Sequence, residues 1–388
     1  MSNLSSNNLF SLSNQDTAQL KGIAIVAMLA HHVLQYPPAG LEYGSLLTTI
    51  GVLGKVCVAI FLFCSGYGLF AQFSKLMDES KASSPHTHTH THTHNCARIT
   101  KNTIAFLLNR FAKFYAGYWP VFLIFVPITI FCFDRSLADA YGENVNVIKR
   151  LVYDFIGIQG WNSYNSTWWF NKLILIFYLL FPAVYVIIRK CSWVGVVISC
   201  TLCMLSNTLL KYDPFELLLW QFPFVMGMFW KQIEGKMIGL SKIITQHKYF
   251  SVFLIILLLA FFVCQRLYGI ISCLPDGMRW DTLLVCCLVL LMILLVRETK
   301  YLSETLSFLG KHSMNIYLLH TFAHYYWGKV SSWVYSPCVG ARYGINVLAL
   351  LGVCLLFSMM IEAMKKHLGW NVLVNLMIGK IKGWCSVK

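Results

Sequence analysis

Lys21 and His32 stand eleven residues apart in the apolar run LKGIAIVAMLAHHVLQYPP. A helix turns about 100° and rises about 1.5 Å per residue, so these two side chains share one face, about 16 Å apart. His31 points about 100° away from that face. A neutral imidazole is suited to taking a proton from a hydroxyl, and an ammonium at the membrane edge is suited to holding phosphate. Charged side chains cost roughly 2.5 to 3.5 kcal/mol near the bilayer centre, so their presence calls for a compensating role. Two roles stay open: Lys21 anchors the helix while both histidines bond to neighbouring helices, or the Lys21/His32 face is a working face.

A second basic pair, Arg110 and Lys113 in LLNRFAKFYAGYWP, lies three residues apart and so shares a helix face. It suits either an ordinary positive flank of a span or a clamp for phosphate groups. The tract SSPHTHTHTHTHN (83–95) alternates His86, His88, His90, His92 and His94. Alternation would align the five imidazoles along one side of a strand as metal ligands, but no acidic or cysteine partner accompanies them. A low-complexity linker is the preferred reading, and no metal site is assigned. The 14 cysteines are scattered, mostly in apolar runs, with no CxxC pair, as expected of small hydrophobes.

The elements that carry these residues follow from composition. With 57% hydrophobic and 12% charged residues in 388, the chain is expected to be an all-α polytopic membrane protein. About ten transmembrane helices are expected, over 20–37, 48–72, 114–133, 167–188, 192–210, 215–230, 249–268, 281–296, 313–335 and 344–364. Placing both termini in the cytoplasm puts 21 Lys and Arg on that side and eight outside, as the positive-inside rule favours. The expected organisation is a cytoplasmic N-terminal tail (1–19), a transmembrane domain (20–364) containing the His-Thr loop, and a cytoplasmic C-terminal tail (365–388). The N-terminus lacks a basic, cleavable signal, so the first span is expected to serve as the insertion signal. The net charge of +15 fits topology and contact with anionic lipid, and no nucleic-acid motif accompanies it.

Six fragments, in order, resemble the membrane-bound acyltransferase-3 family of sugar O-acyltransferases. LKGIAIVAMLAHHV is similar to the family's first helix, a basic residue followed by ten residues and a histidine. AIFLFCSGYGLF (59–70) is similar to its FFxxSGxxL pattern, RFAK (110–113) to its RxxR motif, and STWWFNKLILIFYLLFP (166–182) to its WYL…YLLxP helix. FPFVMGMFW is similar to its FxxG segment and LSFLGKHSMNIYLLHTF (306–322) to its LGxxSxxIYLLH segment. The resemblance implies transfer of an acyl group, usually acetyl from cytoplasmic acetyl-CoA, onto a hydroxyl of a cell-surface or lipid-linked glycan. It implies a bacterial inner membrane, acetyl-CoA as a donor substrate, and no permanently bound cofactor. No hydrolase-like domain is expected after span ten, which makes the chain a stand-alone module.

Carried over by position, the family's catalytic histidine falls on His32, its first basic residue on Lys21, and its donor-binding pair on Arg110 and Lys113. Lysine replaces arginine at Lys21 and Lys113, which keeps the charge and loses the bidentate fork. Ser65, Asn171, Lys172 and Tyr178 are candidate donors to a developing oxyanion. Trp161, Trp168 and Trp169 are candidate stacking surfaces for sugar, or an interfacial aromatic belt. Asp154 either polarises the acceptor or is a solvated loop acid, and His320 is expected to pack between helices. Direct transfer and an acyl-histidine intermediate both fit. The alternative function is a transporter of a small polar or sugar-linked solute, since midplane polar groups also mark carriers.

Overall fold

A computed structural model describes residues 8–38, 43–82, 91–206, 216–274, 276–335 and 343–386. The fold is all-α, with no strand among the described residues. In chain order the helices are α1 (Asn14–Gln35), α2 (Ser45–Leu53), α3 (Val56–Ala82), α4 (Thr91–Cys132), α5 (Leu137–Tyr141), α6 (Val147–Ile156), α7 (Trp169–Lys190), α8 (Ser192–Met204) and α9 (Leu217–Ile233). Then follow α10 (Ile238–Gln246), α11 (Lys248–Tyr268), α12 (Asp281–Leu291), α13 (Lys300–Lys311), α14 (Ser313–Thr321), α15 (Gly328–Tyr335), α16 (Tyr343–His367) and α17 (Trp370–Ser386). The chain divides into two compact units: Met1–Gly68 with Ile187–Leu356, and Leu69–Val186 with Phe357–Lys388.

Among the described residues seven segments are long and apolar enough to cross a membrane: Asn14–Gln35, Ser45–Ser80, Arg98–Cys132, Ser166–Lys190, Lys248–Tyr268, Gly277–Val296 and Tyr343–His367. The described parts of the other three expected spans are shorter pieces; residues 207–210 and 215 of the expected 192–210 and 215–230 spans lie outside the described residues. α8 has 13 residues and α9 has 17. At 1.5 Å per residue α8 reaches only about 20 Å, against a hydrocarbon core of about 30 Å. The two are tied by Gln221, which accepts from the Ser199 hydroxyl and donates to the Ser199 carbonyl at 2.7 Å. The segment expected as 313–335 is α14, a π turn (Phe322–Tyr326) and α15.

In the first unit, close packing rests on glycines facing backbone. A Cβ on Gly66 of α3 would lie 2.0 Å from the Phe224 carbonyl oxygen, and one on Gly227 of α9 would lie 2.1 Å from that of Phe63. The glycines of the SGYGLF and FPFVMG fragments therefore fit each other's helix. α1 and α13 repeat the device: Gly22 faces the Leu306 carbonyl and Gly310 faces that of Ala18. Lipid gives helices no hydrophobic reason to associate, so small residues that admit close backbone contact supply the packing.

α1 starts six residues before the expected span because Ser13 caps it and Asp16 completes a capping box. Arg297 closes on Asp16 with two bonds of 3.1 and 2.8 Å. Residues 8–12 of the expected tail are mostly buried: Trp230 donates to the Phe10 carbonyl at 2.9 Å, and Tyr67 accepts from the Leu12 amide at 2.8 Å. Pro37 and Pro38 follow the end of α1, where a missing N–H stops helical pairing. The expected 48–72 span is broken at Gly54–Lys55 into α2 and α3, and Lys55 pairs with Glu216 at 3.8 Å. Arg266 of α11 and Asp281 of α12 form a buried ion pair at 2.5 Å.

In the second unit α4 runs for 42 residues, about 63 Å at helical rise, so RFAK lies well inside a helix that starts upstream of the expected 114–133 span. Phe73, Phe106, Phe181 and Tyr185 form its aromatic core, with ring separations of 4.7 to 5.9 Å. α17, within the expected C-terminal tail, packs on α4, where Trp370 donates to the Ala116 carbonyl at 3.0 Å. Residues 83–90 of the His-Thr tract lie outside the described residues, as do the side chains through Ala97.

Candidate active site

The two histidines of α1 part company because α2 covers only one of them. Gly51 and Gly54 bring the backbone of α2 against α1: a Cβ on Gly54 would sit 2.8 Å from that of His31, and one on Gly51 would sit 2.6 Å from that of Leu34. His31 Nδ1 bonds the Gly51 carbonyl at 2.9 Å, and Gln35 donates to the Thr48 carbonyl at 2.5 Å. His31 is thereby committed to helix packing.

His32, one residue on, turns to α14 and the π turn. Its ring centroid lies 4.6 Å from that of His320 and 6.2 Å from that of His324. His320 and His324 are four apart, which stacks them on one helix face. The π turn that carries His324 is a distortion often found at functional sites. His320 Nδ1 lies 2.8 Å from the Tyr317 carbonyl, and since a carbonyl only accepts, the ring proton sits on Nδ1. Its Nε2 is a buried lone pair with no hydrogen-bond partner. His324 Nδ1 meets the Tyr335 hydroxyl at 2.6 Å, and the Ser331 hydroxyl fixes the His324 carbonyl at 2.8 Å. His32 is half-buried and forms no hydrogen bond among the described residues. Its ionisable neighbours are His320, His31, His324 and Lys55, with no carboxylate among them.

Sequence spacing separates His31 from His32 but gives no sign that His320 and His324 meet them. The only hint is the four-residue repeat of histidine in YLLHTFAHYY. Lys21 lies half-buried on α1, eleven residues before His32, and pairs with no other group among the described residues. Ser65, also in the first unit, is half-buried on α3 beside the closely packed Gly66.

The remaining candidates lie in the second unit. Arg110 donates to the Gln72 side chain, sits 5.0 Å over the Phe106 ring and is within electrostatic reach of Tyr178. Lys113 is exposed. Trp168 is buried edge-on to Tyr118 at 5.2 Å, Asn171 is buried, and Lys172 is half-buried. Trp169 stacks on the exposed Trp161 at 4.5 Å and 15°.

Asp154 of α6 is no solvated loop acid: it is fully buried. Its Oδ2 accepts from the Tyr141 hydroxyl at 2.6 Å and from the Tyr164 amide, while its Oδ1 has no partner. Arg135 lies over the Tyr164 ring at 4.6 Å and donates to the Tyr164 carbonyl at 2.8 Å. Burial pushes the Asp154 carboxyl up to about 6, against the opposing pull of its hydrogen bonds. This cluster fixes the connection between α6 and α7.

The acyltransferase domain of the acyltransferase-3 family matches residues 18–363. The chain belongs to the acyltransferase-3 family. The match runs from α1 into α16 and so includes every candidate residue above, in both units. As a member of that family with seven membrane-length helices, the chain is a multi-pass membrane acyltransferase. No curated protein and no solved structure matches it.

Proposed function

We propose that this acyltransferase moves an acetyl group from acetyl-CoA onto a hydroxyl of a cell-surface or lipid-linked carbohydrate, with His32 as the general base. The observation that carries the reading is the unequal fate of the doublet. His31 is bonded to the Gly51 carbonyl, while His32 is half-buried, makes no hydrogen bond among the described residues and is set against other histidines.

In the proposed reaction the His32 lone pair takes the proton of the acceptor hydroxyl as that oxygen attacks the thioester carbonyl. The carbon–oxygen bond forms, the carbon–sulfur bond breaks, and the imidazolium returns its proton to the departing thiolate. The products are the sugar ester and free CoA. Donor-phosphate binding is proposed for Lys21 and for the Arg110 and Lys113 pair, each on its charge and its place in a family motif. Ser65, Asn171, Lys172 and Tyr178 remain the proposed donors to the oxyanion, and Trp168 and Trp169 the proposed acceptor contacts. Both termini are proposed to face the cytoplasm of a bacterial inner membrane, the side that holds acetyl-CoA.

The test expresses the wild-type chain, His31→Ala and His32→Ala in a strain lacking the gene and measures ester-linked acetyl on surface glycans by mass spectrometry. The expected result is loss in His32→Ala and retention in His31→Ala. Equal ester content in all three would refute the assignment.

A further inference from the structure

His32, as a base that becomes a cation, stands in surroundings that oppose it. An imidazolium turned from water is stabilised by a carboxylate or a lone pair that accepts its second N–H. Among the described residues the ionisable groups acting on His32 are three histidines and Lys55, with no carboxylate, and Lys55 adds repulsion.

The histidines differ in their distance from His32 and in what already holds them. His31 Nδ1 is taken by the Gly51 carbonyl, and its ring leans towards α2. His324 Nδ1 is taken by the Tyr335 hydroxyl; its Nε2 is, like that of His320, buried without a partner among the described residues, but its ring is the more distant, at 6.2 Å from His32. His320 is the nearest, at 4.6 Å and 55° between ring planes. Its Nδ1 proton is held by its own helix, which leaves Nε2 as a lone pair, fully buried and without a partner among the described residues. An unpaired buried acceptor costs about 1 to 3 kcal/mol. The cost is recovered when a donor arrives.

We infer that His320 is a positioning residue for His32, its Nε2 accepting the second N–H of His32 and holding the charge that forms there during acyl transfer. The inference rests on the proposed role of His32 as base. No hydrogen bond joins the two rings among the described residues, and the bond forms as His32 takes the acceptor's proton, in keeping with catalytic bonds that tighten only in the reacting complex. His320 keeps its Nδ1 proton throughout. The transferred proton passes from the hydroxyl to His32 and on to the thiolate. A neutral histidine thus takes the place that a carboxylate fills in a Ser-His-Asp triad.

Three substitutions separate this role from packing. His320→Phe keeps a ring and removes the acceptor. His320→Asn keeps a polar group beside the Tyr317 carbonyl but stops short of the Nε2 position. His320→Gln carries an oxygen as far as Nε2. Each is purified in detergent, checked for its elution volume and apparent Tm, and assayed with acetyl-CoA and the glycan acceptor alongside wild type and His32→Ala.

The expected result is a fall in kcat of about 100-fold in the Phe and Asn variants, the scale of general-base effects, with the acetyl-CoA KM within a few-fold. The Gln variant recovers to within about tenfold of wild type. Wild-type kcat in His320→Phe, or equal losses in Asn and Gln accompanied by a raised KM and a lowered Tm, would overturn the inference while leaving His32 in place. Unchanged activity in His32→Ala would overturn both readings, so the two failures are distinct.

Discussion

Replacing Gly310 by alanine tests whether the α1–α13 contact positions the histidine site. A Cβ on Gly310 would lie 1.8 Å from the Ala18 carbonyl oxygen, 2.6 Å from its carbon and 3.0 Å from its Cα. Side-chain carbons are essentially never found closer than 3.0 Å to another heavy atom, so the helices must part by at least about 1.2 Å at that point. The obstacle is backbone, which no rotamer change relieves. Overpacking of this kind costs about 1 to 3 kcal/mol. A displacement near 1 Å at reacting groups costs up to about 100-fold in rate. α1 carries His32, and α13 leads through His312 alone into α14, which carries His320.

The expected outcome for Gly310→Ala is therefore a fall of a few degrees in apparent Tm together with a 10- to 100-fold loss of kcat. The assays are thermal unfolding in detergent and acetyl transfer at saturating acetyl-CoA. Gly352→Ala is the control, because nothing lies within 4 Å of its Cβ position and alanine is the better helix former. Gly310→Ala matching Gly352→Ala in both Tm and kcat would refute the reasoning.

Three further outcomes follow from other elements. Asp154 binds its proton more tightly when folded, at about 6 against the usual 3.8, so its stabilising contribution is present at low pH and lost as pH rises through about 6. Limited proteolysis of residues 134–168 should accordingly be slower at pH 5 than at pH 7.5, and Asp154→Asn should remove the difference; an unchanged pH dependence in the variant would count against it. Arg110→Ala and Lys113→Ala are each expected to raise the acetyl-CoA KM about tenfold or more with a smaller effect on kcat, and steady-state kinetics with an unchanged KM would reject donor binding there. Removing Arg266 alone strands the buried Asp281 carboxylate, at a cost of about 3 to 5 kcal/mol, whereas the double variant Arg266→Met with Asp281→Leu should be far milder; equal thermal losses would contradict that view of the pair.

Sequence alone determined the class of this protein and the inequality within its histidine doublet. Long apolar runs leave a chain in lipid little choice but helix, because every backbone N–H must be paired within its own segment. Helical period is a local property, so the divergent directions of His31 and His32 follow from counting residues. The six ordered fragments, two of which owe their glycines to helices that face each other, made the acyltransferase-3 family legible as well.

Tertiary packing decided the rest. The pairing of the 13-residue α8 with α9 through the Ser199–Gln221 bonds joins two apolar segments that no local period links. Asp154 sits in a polar stretch that suggests solvent, yet Tyr141 and Tyr164 close over it. The meeting of His32 with His320 joins residues 288 positions apart, and no local period reports such a contact. It exists because Gly22 and Gly310 let α1 and α13 touch backbone to backbone, which sets α14 beside the far end of α1.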